Sequence, residues 1–128
     1  MADPNVLLEL AREAIGNSYS PYSGFRVAAV LEDAQGGLHT GVNVENSSYG
    51  LTVCAERVAL FCALSRGIRE FSCLLIYSSR GKAIPCGACL QVLAEFCGSD
   101  FPVIVATGDS MEHYSLSRLL PHPFPGGD

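Results

Sequence analysis

Two short apolar runs separated by one helical stretch place the tightest limit on the fold of this chain. Residues 73–78 (CLLIYS) and 102–107 (PVIVAT) are bounded by polar residues, which is typical of strands buried in a sheet. Between them, residues 85–97 (PCGACLQVLAEFC) are predicted to form a helix, with Pro85 near its first turn and Gly98 just after it. The pattern predicts a strand–helix–strand unit whose helix begins at an edge of the sheet.

Further segments complete this pattern on both sides. Apolar residues recur at helical spacing over 5–16, and 25–32 and 38–44 are predicted to form two strands joined by a polar, glycine-containing loop. Residues 53–66 are predicted to form another helix, and 113–120 fit either a weak strand or a helical turn. A hairpin followed by alternating helices and strands predicts a mixed sheet with helices on its faces, the α/β class.

Length, apolar content and charge exclude several classes of protein. The 128 residues suffice for a single domain, which we predict to span 1–128 with an irregular Pro/Gly-rich tail from about residue 121. An apolar fraction of 48% is too high for a disordered chain. The net charge of -5 argues against nucleic acid as a partner, since binding it requires a basic surface. No apolar run reaches the ~18 residues of a membrane-spanning helix, so we expect no membrane partner.

The chain carries few charges for its size. Charged residues make up 16% of the sequence, against about 25% in an average globular protein. A small domain has a large surface relative to its volume and normally covers it with polar side chains. The shortage suggests that part of this surface is buried against other copies of the chain.

Six cysteines in a chain of this length call for a chemical explanation. The N-terminal segment has neither the basic start nor the long apolar stretch of an export signal. We therefore expect a cytoplasmic protein, in which cysteines stay reduced. Reduced cysteines serve as metal ligands, as catalytic groups or as small apolar residues of the core.

Some of these cysteines lie at predicted helix starts. Cys54 precedes Glu56 by two residues, while Cys86 and Cys89 are spaced so that they share one face of a helix. Partial positive charge at helix N-termini favours the thiolate form, and thiolates select soft or borderline metals, most commonly Zn²⁺. The remaining cysteines lack ligand spacing and are predicted to be core residues: Cys62, Cys73 and Cys97.

The number of ligands indicates a catalytic metal site. Three protein ligands and an open fourth position are typical of catalytic zinc, whereas structural zinc has four protein ligands. Glu56 lies two residues from a ligand, where a carboxylate can carry protons to and from metal-bound water. Three thiolates also weaken the ion as a Lewis acid. Arg57 directly follows Glu56 and can donate hydrogen bonds to the sulfurs, which would offset that charge.

Spacing alone leaves two other interpretations of these cysteines open. A fourth thiolate would make a structural zinc module in which Glu56 has no catalytic role. A thiol redox protein would instead use Cys86 and Cys89 as a CxxC pair. Metal content and the effect of replacing Glu56 separate these interpretations.

Longer motifs around these residues resemble a known family. Cys-Ala-Glu at 54–56 followed by Pro-Cys-Gly-Ala-Cys at 85–89 resembles the signature of the zinc-dependent cytidine deaminase superfamily. A cysteine rather than a histidine at position 54 is similar to the small homotetrameric cytidine deaminases. Five segments match that subfamily in order and spacing, from about residue 5 to 124: SPYSGFRVAA, GVNVENSSYG, TVCAERVAL, PCGACLQV and LLPHPF.

The resemblance implies a fold, a reaction and an assembly. The fold is a three-layer α-β-α sandwich with a mixed five-stranded sheet. The reaction is hydrolytic deamination of cytidine and deoxycytidine to uridine and deoxyuridine plus ammonia, by zinc-bound hydroxide with a glutamate proton shuttle, in pyrimidine salvage. The assembly is a homotetramer with one Zn²⁺ per subunit. It acts on a small-molecule nucleoside, and neighbouring subunits complete its active sites.

The resemblance also implies roles for individual residues. Glu56 is the catalytic acid and base, the zinc ligands are Cys54, Cys86 and Cys89, and Arg57 offsets the thiolate charge. For the substrate, the resemblance implies that Phe25 packs at the base and that Asn43 and Glu45 bind the ribose hydroxyls. The backbone of Ala55 and the carbonyl of Ile84 contact the pyrimidine edge and the departing ammonia. Tyr49 and Phe124 are contributed from neighbouring subunits.

Three positions depart from the usual family pattern. Leu90 stands where most members have arginine, so Arg57 is left to offset more of the thiolate charge. Ala28 replaces a common glycine, and Ile84 replaces a small polar residue. These departures bear on substrate preference, and a related small-molecule aminohydrolase such as a blasticidin-S deaminase stays an alternative to a nucleoside enzyme.

Overall fold

Strands and helices alternate along the chain in the computed structural model, which describes residues 1–125. In chain order they are α1 (Pro4–Ala14), β1 (Ala28–Asp33), β2 (Leu38–Val42), α2 (Ala55–Ser65), β3 (Phe71–Ser78), α3 (Gly87–Phe96), β4 (Pro102–Thr107), β5 (Ser110–Ser115) and α4 (Leu116–Leu119). The order agrees with the sequence pattern, and residues 113–120 are divided between the last strand and the last helix.

The strands form one mixed sheet in the order β2-β1-β3-β4-β5. Strands β3 and β4 pair in parallel, and α3 makes the crossover between them, as the strand–helix–strand pattern predicts. The other neighbouring strands pair antiparallel. The predicted mixed five-stranded sheet is confirmed.

Alternating side chains of the sheet form two separate cores. Val30 packs in the core beneath α1, whereas its neighbour Leu31 packs beneath α2 and α3, and both are fully buried. Burying one such side chain contributes about 1.5–3 kcal/mol to folding. Helices on both faces confirm the three-layer α-β-α sandwich.

Several predicted boundaries differ from the structure. Strand β1 begins at Ala28 rather than at 25, because the side chain of Asn43 takes up the backbone N–H of Val27 and the backbone carbonyl of Phe25. Helix α3 begins at Gly87, after Cys86 as N-cap, so Pro85 lies outside its first turn.

The smaller sequence predictions have mixed outcomes. Cys73 is fully buried and Cys97 packs against a core, but Cys62 is half-buried and belongs to neither core, so its prediction was wrong. Residues 120–125 form no helix or strand, and the last part of the predicted tail, 126–128, lies outside the described residues. Within residues 1–125, no helix combines the length and the apolar character needed to cross a membrane.

Candidate active site

The starts of α2 and α3 bring three sulfurs together. Cys54 is the N-cap of α2, Cys86 is the N-cap of α3, and Cys89 follows in the first turn of α3. The Sγ atoms lie 3.9 Å apart between Cys54 and Cys86 and 3.6 Å apart between Cys86 and Cys89. All three lie within 4.8 Å of one another.

This arrangement fits a zinc ion. Sulfur ligands about 2.3 Å from a tetrahedral zinc lie about 3.8 Å from each other, close to the observed distances. An all-sulfur donor set also suits a borderline-soft ion. Among residues 1–125 no further His, Cys, Asp or Glu joins the group, so the fourth thiolate of a structural zinc module is missing there. Three ligands leave one position for water, as in catalytic sites.

The surroundings of the cluster favour a thiolate at Cys54, whereas the hydrogen bond with Cys54 raises the pKa of Cys89. The neighbouring Cys89 thiol and then the Arg57 guanidinium lower the pKa of Cys54 to about 5, against the opposing effect of burial. Arg57 Nη2 lies 3.7 Å from Cys54 Sγ. The Nε atom of Arg57 is buried and has no hydrogen-bond partner within the described part of the chain. The guanidinium lies next to the cluster, and its role in offsetting thiolate charge stays a prediction.

Glu56 lies in the first turn of α2 and is only 5% exposed. Burial raises the pKa of its carboxyl to about 7, and the charge on Cys54 adds to the increase. A carboxyl that titrates near neutral pH can both accept and donate a proton during one reaction cycle.

A cleft of about 320 Å³ opens beside the cysteines and Glu56. Its walls come from the loop before β1, the segment after β2, the start of α2 and the loop before α3. The lining residues are Ser23, Phe25, Val27, Asn43, Glu45, Thr52, Cys54, Ala55, Glu56, Lys82, Ala83, Ile84 and Cys86.

The amide of Asn43 is held in one orientation. Its Oδ1 accepts hydrogen bonds from Val27 N–H at 3.0 Å and from the Ser18 hydroxyl. Its Nδ2 donates to the carbonyl of Phe25 at 2.8 Å, which leaves its second N–H free. Asn43 can therefore offer a ligand in the cleft a donor.

Glu45 is the complementary acceptor. The backbone N–H groups of Tyr22 and Ser23 donate to its Oε1 at 3.0 and 3.1 Å, and the Ser23 hydroxyl donates to Oε2. The Ser23 hydroxyl is the main cause that lowers the pKa of this carboxyl, and both backbone N–H groups add to it. Glu45 is therefore ionised at neutral pH and can only accept hydrogen bonds.

Comparisons with known proteins agree with this geometry. The family model for the cytidine and deoxycytidylate deaminase zinc-binding region matches residues 1–105. The chain belongs to this deaminase family. Cytidine deaminases of Sporosarcina psychrophila and Halalkalibacterium halodurans are 41% and 42% identical to it, and both alignments cover 98% of this chain. They cover 94% and 97% of those relatives.

Solved structures of the family share the fold. The crystal structure of cytidine deaminase from Burkholderia pseudomallei is similar with a TM-score of 0.90 and 41% identity, covering 96% of this chain and 100% of that one. For the cytidine deaminase of Mycobacterium tuberculosis the TM-score is 0.85 at 36% identity, covering 98% and 99%. Both matches confirm the cytidine deaminase-like sandwich.

Most residues expected from the deaminase resemblance line the one cleft, and Cys89 and Arg57 lie beside it at the cysteine cluster. Tyr49 and Phe124 do not line it and are 74% and 79% exposed. The Tyr49 ring lies edge-on to that of Tyr22, with centroids 5.8 Å apart. The backbone of Phe124 exchanges two hydrogen bonds with the Gln91 amide, at 2.8 and 3.2 Å. Their roles across subunits stay predictions.

The departures from the deaminase pattern are apolar in this fold. Leu90 is 4% exposed and packs in the core beneath α2 and α3. Arg57 is the one arginine of residues 1–125 with a hydrogen bond to the cysteine cluster. Ala28 is fully buried beneath α1, and the Ile84 side chain is 44% exposed at the cleft.

Sequence reasoning missed several residues of the deaminase cleft. Ser18 and Ser23 lie in a loop whose sequence only indicated a turn, yet their hydroxyls bind Asn43 and Glu45. The separations of 25 and 22 residues carry no local signal. Lys82 also lines the cleft and pairs with Glu112 of β5 at its rim.

Proposed function

We propose that this protein hydrolyses cytidine and deoxycytidine to uridine and deoxyuridine, releasing ammonia, as a step of pyrimidine salvage. The observation that carries the proposal is the buried Glu56 beside the cluster of Cys54, Cys86 and Cys89 at one cleft. Membership of the deaminase family and relatives named as cytidine deaminases support the same substrate class.

The three cysteines would hold one Zn²⁺ per chain. The spacing of their sulfurs and the low pKa of Cys54 support this assignment. When bound, the ion supplies Lewis acidity that lowers the pKa of the attacking water. Arg57 would donate hydrogen bonds to the sulfurs and offset their charge, with its 3.7 Å contact to Cys54 as support.

Glu56 would carry the protons of the reaction. As the C4–O bond forms, Glu56 takes a proton from the attacking water and passes it to N3 of the ring. It then takes the remaining hydroxyl proton and passes it to the amino group, so that the C4–N bond breaks and ammonia leaves. A pKa of about 7 suits both transfers, because neither protonation state of the carboxyl is strongly favoured at neutral pH.

The cleft would recognise a nucleoside through complementary hydrogen-bonding groups. Asn43 donates and Glu45 accepts, so the pair suits a ribose hydroxyl, which can do both at once. Phe25 would pack against the base. The backbone N–H of Ala55 and the carbonyl of Ile84 would contact the pyrimidine edge and the departing ammonia. All five residues line the same cleft, which supports these roles.

The working enzyme would be a cytoplasmic homotetramer. Tyr49 and Phe124 would then contact substrate in neighbouring subunits. The large exposed fractions of both rings and the low charge content of the chain support burial against other copies.

The decisive experiment compares the wild type with Glu56→Ala at matched zinc content. Loss of absorbance as cytidine becomes uridine reports the rate. General acid–base catalysis contributes about 10²- to 10⁴-fold, so we expect a fall of at least this size in Glu56→Ala while its zinc content and fold are retained. Glu95→Ala on the exposed side of α3 serves as the matched control and should keep wild-type activity. No activity on cytidine or deoxycytidine in zinc-replete wild type would contradict the proposal, and activity on blasticidin S alone would favour the related small-molecule aminohydrolase instead.

A further inference from the structure

One backbone contact sets how closely α2 lies on the sheet. Gly41 lies in β2, pairs with Ala29 of β1 and is buried. A Cβ atom built on Gly41 would lie 2.4 Å from the backbone N of Ala59 and 2.6 Å from the backbone O of Ala55. Since carbon atoms rest at about 3.5–4.0 Å from their neighbours, any side chain here would push α2 outwards by about 1 Å.

The contact lies at the end of α2 that bears the site. Ala55 stands between Cys54 and Glu56, so a shift of the first turn moves a sulfur and the carboxyl together. The atoms closest to Gly41 are all in the backbone of α2, which cannot yield by a rotamer change. Cys86 and Cys89 belong to α3 and would not follow such a shift directly.

A shift of α2 by about 1 Å is large compared with the tolerance of distances in a metal site. The sulfurs of Cys54 and Cys86 are 3.9 Å apart, close to the spacing that one tetrahedral zinc requires. Metal distances are normally kept within about 0.2 Å. A shift of α2 alone would move the sulfur of Cys54 away from the sulfurs of Cys86 and Cys89.

We propose that Gly41 is a positioning residue for this site, although it does not line the cleft. The absence of a side chain lets α2 approach β2 closely enough for Cys54 to join Cys86 and Cys89 around one ion and for Glu56 to face the cleft. This inference rests on the proposed function, because it assigns Gly41 a role in building that zinc site.

The test is Gly41→Ala, followed by zinc affinity, Co²⁺ absorption and kinetics. Zinc affinity is measured by competition with a chromophoric chelator, and the thiolate and d–d bands of the Co²⁺-loaded protein report ligand geometry. We expect zinc binding to weaken about tenfold or more, as when support around a metal site is lost. The Co²⁺ spectrum should change as well, and kcat should fall more than KM changes.

Two control variants separate positioning from general damage. Gly98→Ala makes the same chemical change where nothing lies within 4 Å of the new carbon. Val30→Ala removes buried volume from the core beneath α1, so it lowers Tm without touching α2. Both should keep wild-type zinc affinity and the wild-type Co²⁺ spectrum.

The outcomes distinguish this role from the function on which it rests. A Gly41→Ala protein that binds zinc within about twofold of wild type, with an unchanged Co²⁺ spectrum, overturns the role of Gly41. If that variant does not fold, Ala59→Val enlarges a fully buried residue of α2 whose backbone lies against Gly41, which also forces the helix away from its position. Wild-type zinc affinity in Ala59→Val then overturns the role of Gly41. Failure of the wild type itself to bind zinc or deaminate cytidine would contradict the proposed function instead.

Discussion

At the scale of single residues, hydrogen bonds within the protein decide what the cleft can recognise. An amide side chain can present either its oxygen or its nitrogen to a ligand. In Asn43 the oxygen is occupied by Ser18 and Val27, so the nitrogen is the group left for the substrate. The carboxylate of Glu45 is similarly held by hydrogen bonds from Ser23 and Tyr22. These hydrogen bonds therefore fix Asn43 as a donor and Glu45 as an acceptor before any substrate binds.

Ser18→Ala tests this fixed orientation. Removing the hydroxyl leaves Val27 N–H as the other donor to the Asn43 oxygen, so the amide should be held less firmly. A neutral hydrogen bond is worth about 1 kcal/mol, so we expect kcat/KM for cytidine to fall about fivefold. Deoxycytidine is a proposed substrate and has no 2′-hydroxyl, so the 3′-hydroxyl is the one that Asn43 would contact. The measurement therefore compares cytidine with 3′-deoxycytidine, which lacks it. The preference for cytidine should shrink in the variant.

The neighbouring Ser20 provides the matched control. It lies in the same loop and contacts the Ser18 hydroxyl at 3.2 Å, but it has no hydrogen bond to Asn43. Ser20→Ala should keep the wild-type preference between the two nucleosides. An equal loss on both nucleosides in Ser18→Ala would point to a general disturbance of the loop and contradict the orienting role.

At the scale of secondary-structure elements, the β1–β2 hairpin depends on one buried carboxylate. Asp33 Oδ2 accepts from His39 at 2.8 Å, and Oδ1 accepts from the backbone N–H groups of Gln35 and Gly37 at 2.8 and 3.0 Å. The His39 hydrogen bond is the main cause that lowers the pKa of Asp33, followed by that from Gly37. The charged form of Asp33 therefore stabilises the loop that joins the two strands.

The lowered pKa of Asp33 fixes the sign of a pH effect. A carboxyl whose pKa is lower in the folded chain contributes stability above its unfolded pKa, near 3.8, and loses it as pH falls through the folded value. Asp33→Asn should therefore lower Tm at pH 7, and the difference from wild type should shrink below pH 3.8. Asp109→Asn, at a fully exposed carboxylate, should change Tm little at either pH. An Asp33→Asn difference that is constant from pH 7 into this acidic range would contradict the assignment.

Local patterns predicted the elements well where packing agreed with them. The run at 102–107 coincides with β4 because all six residues pair with β5 and the four in the middle are buried. The start of β1 was placed three residues early, since Phe25 and Val27 bond to the side chain of Asn43 instead of a strand. A side chain that bonds to a distant segment leaves no periodic pattern in the sequence from which the contact could be predicted.

The candidate site could be predicted only where its residues form motifs. Cys86 and Cys89 are spaced for a metal, and with Cys54 and Glu56 they form a family signature. Gly41 and Ser18 act through contacts with distant segments, so their importance appears only once α2 and the loop before β1 are in place.

At the scale of the whole molecule, the isolated chain exposes large apolar side chains close to functional segments. Tyr49 and Leu51 are 74% and 67% exposed in the turn before α2, and Phe124 is 79% exposed near α3. Exposed apolar groups of this kind, together with few charges, are typical of surfaces that meet another protein. These surfaces predict self-association, and the resemblance to the small homotetrameric cytidine deaminases implies four subunits. We therefore expect the 13.6 kDa chain to sediment as a tetramer.

Mixed assemblies test whether one subunit completes the site of another. If Phe124 serves a neighbour, Phe124→Ala and Glu56→Ala tetramers should each have low activity. When the two chains are unfolded and refolded together, some sites combine an intact Glu56 from one chain with an intact Phe124 from the other. The mixture should then exceed the summed activity of the two variants refolded separately.

A second mixture shows whether such a gain needs two subunits. Glu56 and Cys86 line the cleft of the same chain, so Glu56→Ala and Cys86→Ser chains cannot restore each other and their mixture should stay inactive. An affinity tag on one of the two chains must copurify the untagged chain in both cases, which shows that mixed tetramers have formed. If the Phe124→Ala mixture has only the summed activity of its parents, Phe124 acts within its own chain or not at all. A gain confined to that mixture would mean that the exposed Phe124 ring completes the active site of a neighbouring subunit.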